Sequence, residues 1–297
     1  MSNLKSVQRP VSDLAIDAKI SIPGSPDWVG ISENAVWISN QSANSIARID
    51  ARTNQLIATI PAGRQPCSGL AAGFDSVWVP SCGDRSLDRI DVATNQVVAR
   101  VPLTIASSEG GIAVGGDGIW LLSDQRGTLL HVDPERNEVV GKVETAPDSF
   151  VPAFSAGSIW VTSTSQNLVS RVDPRTYQVL NRTRVGPSPR FIACDERAIW
   201  TLNQGDGTVT RINADNGNVV ATVDVGTPGP GGDIAVGGGF VWTTAINVPL
   251  TKIDPTTNEV VLQFIGRGGD ALRVGHGSVW LCSFFLQEVW RAPLPIV

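Results

Sequence analysis

The sequence predicts an all-β fold, a seven-bladed β-propeller in which every blade contains four strands. A block built around Val-Trp or Ile-Trp occurs seven times, at Trp37, Trp78, Trp120, Trp160, Trp200, Trp242 and Trp280. The spacings of 41, 42, 40, 40, 42 and 38 residues match the period of a four-stranded propeller blade. Because the repeats fill nearly the whole chain, we expect one domain over residues 13–297, preceded by an N-terminal tail of residues 1–12.

Each repeat divides into four short runs of β-branched and alternating residues, separated by turn signals. The turn between the first two strands is a two-residue hairpin, which in the second repeat is Phe74-Asp75. The corresponding turns elsewhere are Glu33-Asn34, Gly116-Asp117, Ala156-Gly157, Gly238-Gly239 and His276-Gly277. Most contain Asn, Asp or Gly, which tolerate the positive φ that such a turn requires.

The third and fourth strands are joined by a turn that begins with Asp or Asn in most repeats, as in DARTNQ, DPERNE and DPTTNE. An Asp in this position accepts hydrogen bonds from the backbone ahead of it, so we interpret these turns as structural. The last repeat has only three strands, and the N-terminal segment LAIDAKISIPG is an unpaired strand. Pairing the two ends completes the seventh blade and closes the ring.

Composition limits the classes of partner. Hydrophobic residues make up 42% of the chain, but no apolar run approaches the ~18 residues that cross a bilayer. The net charge of −5 does not suit a nucleic-acid partner, and we expect a monomer that binds a small molecule. The start, MSNLKSVQRPVSDL, has no apolar segment, as in a cytoplasmic protein. A periplasmic or secreted protein whose signal peptide had been trimmed would show the same pattern, so the compartment stays open.

The repeats VWISNQSANSIARIDARTNQLIATIPAG and AIWTLNQGDGTVTRINADNGNVVATVDVG resemble YVTN-type propellers. Through the VW..N....I.RID framework they also resemble the virginiamycin B lyase-like group. The resemblance covers essentially the whole chain and implies a seven-bladed propeller. In the lyases it implies a metal-assisted elimination that relies on a histidine in the funnel.

Only two histidines occur, and both have structural interpretations. His131 takes the third-strand position that Arg or Lys holds in the other repeats. His276 lies in a first hairpin turn, on the face opposite the expected funnel mouth. The catalytic residues of the lyases are therefore not transferred to this chain.

The loops that precede the first strands, together with those that join the second and third strands, share one face around the central channel, where ligand sites usually lie. Counting outward from the hairpin turns pairs Glu109 with Asp124, the only facing acids at that level. The same counting pairs Pro26 with Gln41, Ser149 with Thr164 and Pro189 with Gln204. Facing carboxylates repel, unless they are solvated, share a proton or hold a cation between them.

One residue closer to the hairpin turn on each strand, the predicted pairs include Asp27 with Asn40, Phe150 with Ser163, and Arg190 with Asn203. Arg190 is suited to hold a carboxylate or an oxyanion, and a salt bridge to Asp233 or Asp270 is the alternative. Apolar area on the same rim comes from Trp28, Phe150, Phe191, Phe284 and Phe285. Ordinary packing between loops is the alternative for these aromatic residues.

The cysteines leave a choice open. Counting from the turn pairs Cys67 with Cys82, as a cross-strand disulfide or as two buried thiols. Cys194 and Cys282 fall within strands and indicate packing, and no Cys/His cluster predicts a zinc site.

We therefore hold two hypotheses. In the first, the chain is an enzyme acting on a small organic substrate by elimination or hydrolysis, in which Glu109 or Asp124 moves a proton and Arg190 stabilises negative charge. The predicted substrate-binding residues are Asp27, Trp28, Phe150, Phe191, Asn203, Asp233, Asp270 and Phe284. The clustered carboxylates also suit a divalent cation, Mg²⁺ or Ca²⁺, so the metal is left open. In the second hypothesis the same rim binds a ligand or a protein without catalysis.

Overall fold

The computed structural model describes residues 4–297, and it has the predicted architecture of seven antiparallel sheets arranged as propeller blades. The first strand of each blade is innermost and contacts the first strands of the neighbouring blades around the ring. Helical structure in the described residues is limited to three 3₁₀ segments, Leu4–Val7, Val11–Asp13 and Phe284–Leu286. None of these is a candidate for spanning a membrane.

The strands are numbered in chain order, beginning with two N-terminal strands, β1 (Gln8–Pro10) and β2 (Ala18–Ser21). Blades one to three consist of β3 (Pro26–Ile31), β4 (Ala35–Asn40), β5 (Ser45–Asp50), β6 (Leu56–Pro61); β7 (Ala71–Gly73), β8 (Ser76–Ser81), β9 (Ser86–Asp91), β10 (Gln96–Pro102); and β11 (Ile112–Gly115), β12 (Gly118–Leu122), β13 (Thr128–Asp133), β14 (Glu138–Glu144). Blades four and five consist of β15 (Ser149–Ser155), β16 (Ser158–Ser163), β17 (Leu168–Asp173), β18 (Gln178–Arg184); and β19 (Pro189–Cys194), β20 (Ala198–Asn203), β21 (Thr208–Asn213), β22 (Val219–Asp224). Blades six and seven contain β23 (Ile234–Gly237), β24 (Phe240–Ala245), β25 (Val248–Asp254), β26 (Glu259–Ile265); and β27 (Leu272–Gly275), β28 (Ser278–Ser283), β29 (Glu288–Pro293).

The ring closes as predicted, because β2 pairs antiparallel with β29 and supplies the outer strand of blade seven. The sequence did not indicate the role of β1, which pairs parallel with β26 as a fifth strand of blade six. Part of the predicted N-terminal tail is therefore packed on the propeller, and residues 1–3 of that tail lie outside the described residues. The extra strand covers an outer edge that would otherwise expose unpaired backbone groups.

The repeated tryptophan forms the core of each blade. All seven indoles are fully buried, and in five blades the indole N–H donates to the backbone carbonyl five residues earlier. In six blades an Arg or Lys from the third strand lies over the ring, as Arg211 does at 5.0 Å from the centre of Trp200. Arg211 also donates to the Pro255 carbonyl at 2.6 Å, and the cations of the five other blades likewise bond a residue of the next blade.

The predicted turns are present, but only four of the six two-residue hairpins have the expected backbone, because Gly116-Asp117 has positive φ at Gly116 alone and Glu33-Asn34 at neither residue. Phe74-Asp75, Ala156-Gly157, Gly238-Gly239 and His276-Gly277 have positive φ at both residues, as the hairpin type requires. In the turns between the third and fourth strands, the leading Asp accepts backbone N–H groups two and three residues ahead, as Asp50 does from Arg52 and Thr53. These turns lie on the face of the ring where the first strands end. The loops that precede the first strands, and those that join the second and third strands, lie on the opposite face.

Candidate functional site

A pocket opens on the axis where the first strands begin, at the face that the sequence analysis selected. It has a volume of about 260 Å³. Its lining residues are Asp27, Trp28, Glu109, Arg190, Phe191, Pro230, Gly231, Gly232, Asp233, Asp270 and Ala271. We call this the axial pocket. It brings together side chains from blades one, three, five, six and seven, so only the closed ring forms it.

Arg190 and Glu109 form an ion pair across the pocket, with Nη2 and Oε1 2.9 Å apart. Both side chains are partly buried, with 32% and 24% of their surface exposed. The guanidinium also lies 4.3 Å from the ring centre of Phe150, which packs edge-on against Phe191. Phe150, which was predicted to bind substrate, therefore packs against Arg190 and Phe191 without lining the axial pocket. The alternative expectation, a salt bridge from Arg190 to Asp233 or Asp270, is wrong, because the partner is Glu109.

A second arginine, which the sequence analysis missed, pairs with Asp233. Arg273 Nη1 lies 2.5 Å from Asp233 Oδ2, and the Asp233 side chain is only 3% exposed. The Arg273 guanidinium also lies 5.0 Å from the ring centre of Trp28. Arg273 faces Trp280 in β27, whereas the six other blades place glycine or alanine opposite their tryptophan, at Gly30, Ala71, Ala113, Ala153, Ala193 and Ala235. This departure from the repeated glycine or alanine could have identified Arg273 from the sequence.

The remaining two carboxylates have fewer partners. Asp27 accepts a hydrogen bond of 2.5 Å from the Ser68 hydroxyl, which belongs to blade two. Asp270 accepts a bond of 3.2 Å from the backbone N–H of Gly232. Neither side chain has a salt bridge within the described residues. The axial pocket thus contains four carboxylates and one guanidinium group, that of Arg190, while Arg273 pairs with Asp233 and lines the neighbouring cavity between the first strands.

Burial raises the pKa of every carboxyl group in the axial pocket, and repulsion between the acids adds to the rise for Asp27, Glu109 and Asp270. For Asp270, burial and the charge of Asp27 raise the pKa to about 7, and the Gly232 N–H only partly opposes them. For Asp27 and Glu109, burial again raises the pKa most, against opposing hydrogen bonds from Ser68 and Arg190. Burial also raises the pKa of Asp233 despite Arg273. A carboxyl group that titrates near neutral pH can both accept and donate a proton.

The structure does not place Asp124 in this pocket, and its predicted pairing with Glu109 is wrong. The strand β11 begins only at Ile112 and β12 ends at Leu122, so neither acid lies in a paired strand. Asp124 instead accepts hydrogen bonds within its own loop. Partial burial acts against them, but the bonds from Arg126 and Thr128 lower the pKa of Asp124 to about 2.

The other predicted pairings near the rim are displaced by β-bulges, because the register shifts inside β3, β15 and β19. The observed partners are Pro26 with Asn40, Ser149 with Ser163 and Pro189 with Asn203. Asn203 is consequently buried away from the pocket, where it bonds Thr201, Thr208 and Thr210.

Phe284 is also outside the axial pocket. It begins the 3₁₀ helix Phe284–Leu286, where it packs edge-on against Phe285 and is 39% exposed. The sequence could not show that β28 ends before this residue. Neither Phe284 nor Asn203 lines the pocket.

The two histidines have the structural positions that the repeat predicts. His131 is buried, stacks on Trp120 at 4.2 Å between ring centres, and its Nδ1 lies 2.8 Å from the Tyr177 hydroxyl. His276 lies in the hairpin turn at the opposite end of the channel, with Nε2 3.0 Å from the Ser32 carbonyl. Neither histidine reaches the axial pocket.

The cysteines predicted to face each other form a disulfide, Cys67–Cys82, in blade two. Cys194 and Cys282 are free thiols. Within residues 4–297, no group of three or more His, Cys, Asp and Glu side chains is arranged to hold a metal ion. The expectation of a divalent cation therefore has no built site among these residues.

Comparison with known families matches residues 34–230 to the family described as glutamine cyclotransferase. A streptogramin B lyase structure has the same fold, with a TM-score of 0.77 and 15% identity over 92% of this chain and 96% of that one. The structure of virginiamycin B lyase from Staphylococcus aureus has a TM-score of 0.77 and 15% identity, over 93% of this chain and 98% of that one. The structure of hydrazine synthase from Kuenenia stuttgartiensis has a TM-score of 0.75 and 15% identity, over 95% of this chain and 98% of that one. No curated protein sequence matches significantly. At this identity the structures share the fold, which agrees with the resemblance to virginiamycin B lyase.

Proposed function

This chain belongs to the glutamine cyclotransferase family, and we propose that it is an enzyme that acts on a small amine-bearing molecule in the axial pocket. The observation that carries the proposal is the placement of Asp270. Its carboxyl group has a pKa raised to about 7 and lies in a pocket with three other acids. Such a group supplies general acid–base catalysis at neutral pH.

The charge of the axial pocket favours a cationic substrate group. Four carboxyl groups line the pocket with one guanidinium group, and both nearby arginines are already paired, Arg190 with Glu109 and Arg273 with Asp233. Asp27 and Asp270 have no cationic partner of their own. Burial raises both pKa values most and repulsion from neighbouring carboxylates adds to it, so an ammonium group between them would stabilise their ionised forms. The volume of about 260 Å³ suits one amino-acid-sized group.

The family's description names a ring closure of glutamine, and the pocket contains groups for the proton transfers that this needs. The substrate amine attacks the side-chain amide carbon, a new C–N bond forms, and the old C–N bond breaks to release ammonia. Asp270 takes the proton from the attacking amine and returns it to the departing nitrogen. Arg190 stabilises the negative charge that develops on the amide oxygen. Glu109 holds Arg190 in place and, with its raised pKa, is a second proton carrier.

Elimination and hydrolysis, the two reactions expected from the sequence, need similar proton transfers. Hydrolysis and ring closure of the same glutamine give different products, which makes these two reactions separable. Ring closure of an N-terminal glutamine lowers the peptide mass by one ammonia. Hydrolysis of the same amide replaces nitrogen by oxygen and leaves a glutamate.

The test uses the dipeptide Gln-Ala and its N-acetylated form, with ammonia release and product mass as readouts between pH 5 and 9. We expect ring closure of Gln-Ala and no reaction of the acetylated peptide, which lacks the amine. Asp270→Asn, Glu109→Gln and Arg190→Ala should each lower kcat by about 10²-fold or more, typical of lost acid–base or electrostatic catalysis. Glu259→Gln, at an exposed site in β26, is the matched control.

Two results would overturn this proposal. One is full turnover in Asp270→Asn. The other is a protein that binds Gln-Ala, loses affinity gradually with each rim substitution and releases no ammonia. The second result would identify a binding module without catalysis.

A further inference from the structure

Blade two contributes no residue to the lining of the axial pocket, yet it contacts two of the pocket's acidic loops. We propose that the segment Cys67–Gly69, fixed by the Cys67–Cys82 disulfide, is a positioning element that sets the placement of Asp27 relative to Glu109. Its effect on turnover rests on the proposed function; its effect on the two carboxylates does not.

The first contact is with blade one. The Ser68 hydroxyl donates a hydrogen bond of 2.5 Å to Asp27 Oδ2, and Ser68 is the only side chain that bonds this carboxylate within the described residues. The bond favours the ionised form of Asp27 and opposes the effect of burial on its pKa. Ser68 therefore orients Asp27 and partly offsets the rise in its pKa.

The second contact is with the loop of blade three that carries Glu109. The Ser68 backbone N–H donates to the Ser108 carbonyl at 3.0 Å, and the Gly69 N–H donates to the Glu109 carbonyl at 2.5 Å. The two backbones are so close that a Cβ on Gly69 would lie 2.4 Å from the Gly110 carbonyl oxygen. This approach requires glycine at position 69.

The disulfide holds this segment where the sheet cannot. The inner strand β7 has only three residues, Ala71–Gly73, and Cys67–Gly69 lies before it begins. Among the described residues, the Cys67 N–H is the one backbone group of this segment that pairs with the neighbouring strand, where it donates to the Pro80 carbonyl. Just before it, the Pro66–Ser81 bridge and the bond from the Cys82 N–H to the Gln65 carbonyl hold the chain, and the covalent link to Cys82 extends that restraint into the segment. Cys67 is fully buried, but Cys82 is partly exposed, so a thiol reagent reaches the bond from the Cys82 side.

Reduction is the most direct perturbation. Dithiothreitol breaks the S–S bond, both cysteines become thiols, and the reagent is oxidised to its cyclic disulfide. Because Cys194 and Cys282 are already free, this bond is the only one that the reagent can break in the chain.

Hydrogen exchange of the folded protein tests the proposal without any assay of activity. We expect the Ser68 and Gly69 amides to exchange at least tenfold faster after reduction, with β20 and β21 of blade five unchanged as the control. The variant C67S/C82S should behave like the reduced protein. Unchanged exchange at these two amides after confirmed reduction would overturn the proposal. Reduction of the folded wild-type chain keeps the test valid even if the double variant does not fold.

The role of Ser68 has its own readout. NMR of the aspartate side-chain carboxyl carbons should show a higher pKa for Asp27 in Ser68→Ala than in the wild type. Ser68→Thr, which keeps the hydroxyl, should restore the wild-type pKa. An Asp27 pKa that is the same in all three proteins would refute a positioning role for Ser68. Where Gln-Ala turns over, Ser68→Ala should lower kcat about tenfold with a smaller change in KM. If no form of the protein releases ammonia while exchange and pKa change as expected, only the proposed function fails.

Discussion

Replacing Asp270 with Asn should stabilise the protein at high pH, because the wild-type fold confines this carboxyl group where its charge is unfavourable. The pKa of Asp270 is about 7 in the folded state against the ordinary aspartate value of 3.8, so the folded state binds more protons between these values. Stability therefore falls as the pH rises through this window. Asn cannot ionise, and it can still accept the hydrogen bond from the Gly232 N–H.

The size of the effect follows from the pKa difference. About 3 pH units at about 1.4 kcal/mol each give a cost of about 4 kcal/mol at pH 8. Because Asp27 and Glu109 share the repulsion, part of this cost passes to them, and we expect a gain of about 2 to 4 kcal/mol. For a domain of this size that is a rise in Tm of about 4 to 8 °C.

Scanning calorimetry at pH 5 and pH 8 measures this effect. Asp270→Asn should melt somewhat above the wild type at pH 5, where about one of the roughly 3 pH units has been crossed, and clearly further above it at pH 8, whereas the exposed control Glu259→Gln should follow the wild type at both. If Asp270→Asn lowered Tm equally at the two pH values, Asp270 would be an ordinary structural side chain. The electrostatic reasoning would then be refuted.

Two other substitutions test the packing around the axial pocket. Arg273→Gln leaves the buried Asp233 without its cation and should cost about 3 kcal/mol in urea unfolding, with partial recovery in the double variant that also carries Asp233→Asn. No loss in the single variant would contradict the importance of this pair. Gly110→Ala should cost about 1 to 3 kcal/mol, because Gly110 has φ of 57° and a Cβ there would lie 2.5 Å from that of Cys67. Gly157→Ala, at φ of 68° in open space, is the control and should cost less.

The fold could be predicted because the information that determines it repeats. Each tryptophan packs in the same way in its blade, and residues such as Asp75 and Gly157 tolerate the positive φ of the hairpin turns, so periodicity and turn chemistry identify four strands per unit. The short strand β1 escaped prediction because its parallel pairing with β26 belongs to no repeat. A three-residue segment carries too little pattern to identify its partner.

The site could be predicted only in part. The differences between the repeats predicted the face that carries the pocket and most of its charged residues, including Asp27, Glu109 and Arg190. Counting residues outward from a turn assumes an unbroken ladder, and the β-bulges and short inner strands break it. This is why Asp124 was wrongly paired. Arg273 was missed although it replaces a repeated small residue.

Loops brought together by ring closure carry no sequence signal of their proximity. Ser68 reaches Asp27 from blade two, and Arg190 reaches Glu109 across the channel. Such partners depend on the path of the chain around the ring. They become visible only with coordinates.

The proposed chemistry depends most on a carboxyl group that exchanges its proton near neutral pH inside the axial pocket. Carbon-detected NMR of protein labelled at the aspartate carboxyl carbons measures this directly, with Asp270→Asn identifying the resonance. We expect the Asp270 signal to titrate with a midpoint near pH 7. A midpoint below pH 5 would show a permanently ionised carboxylate and would contradict the proposed chemistry.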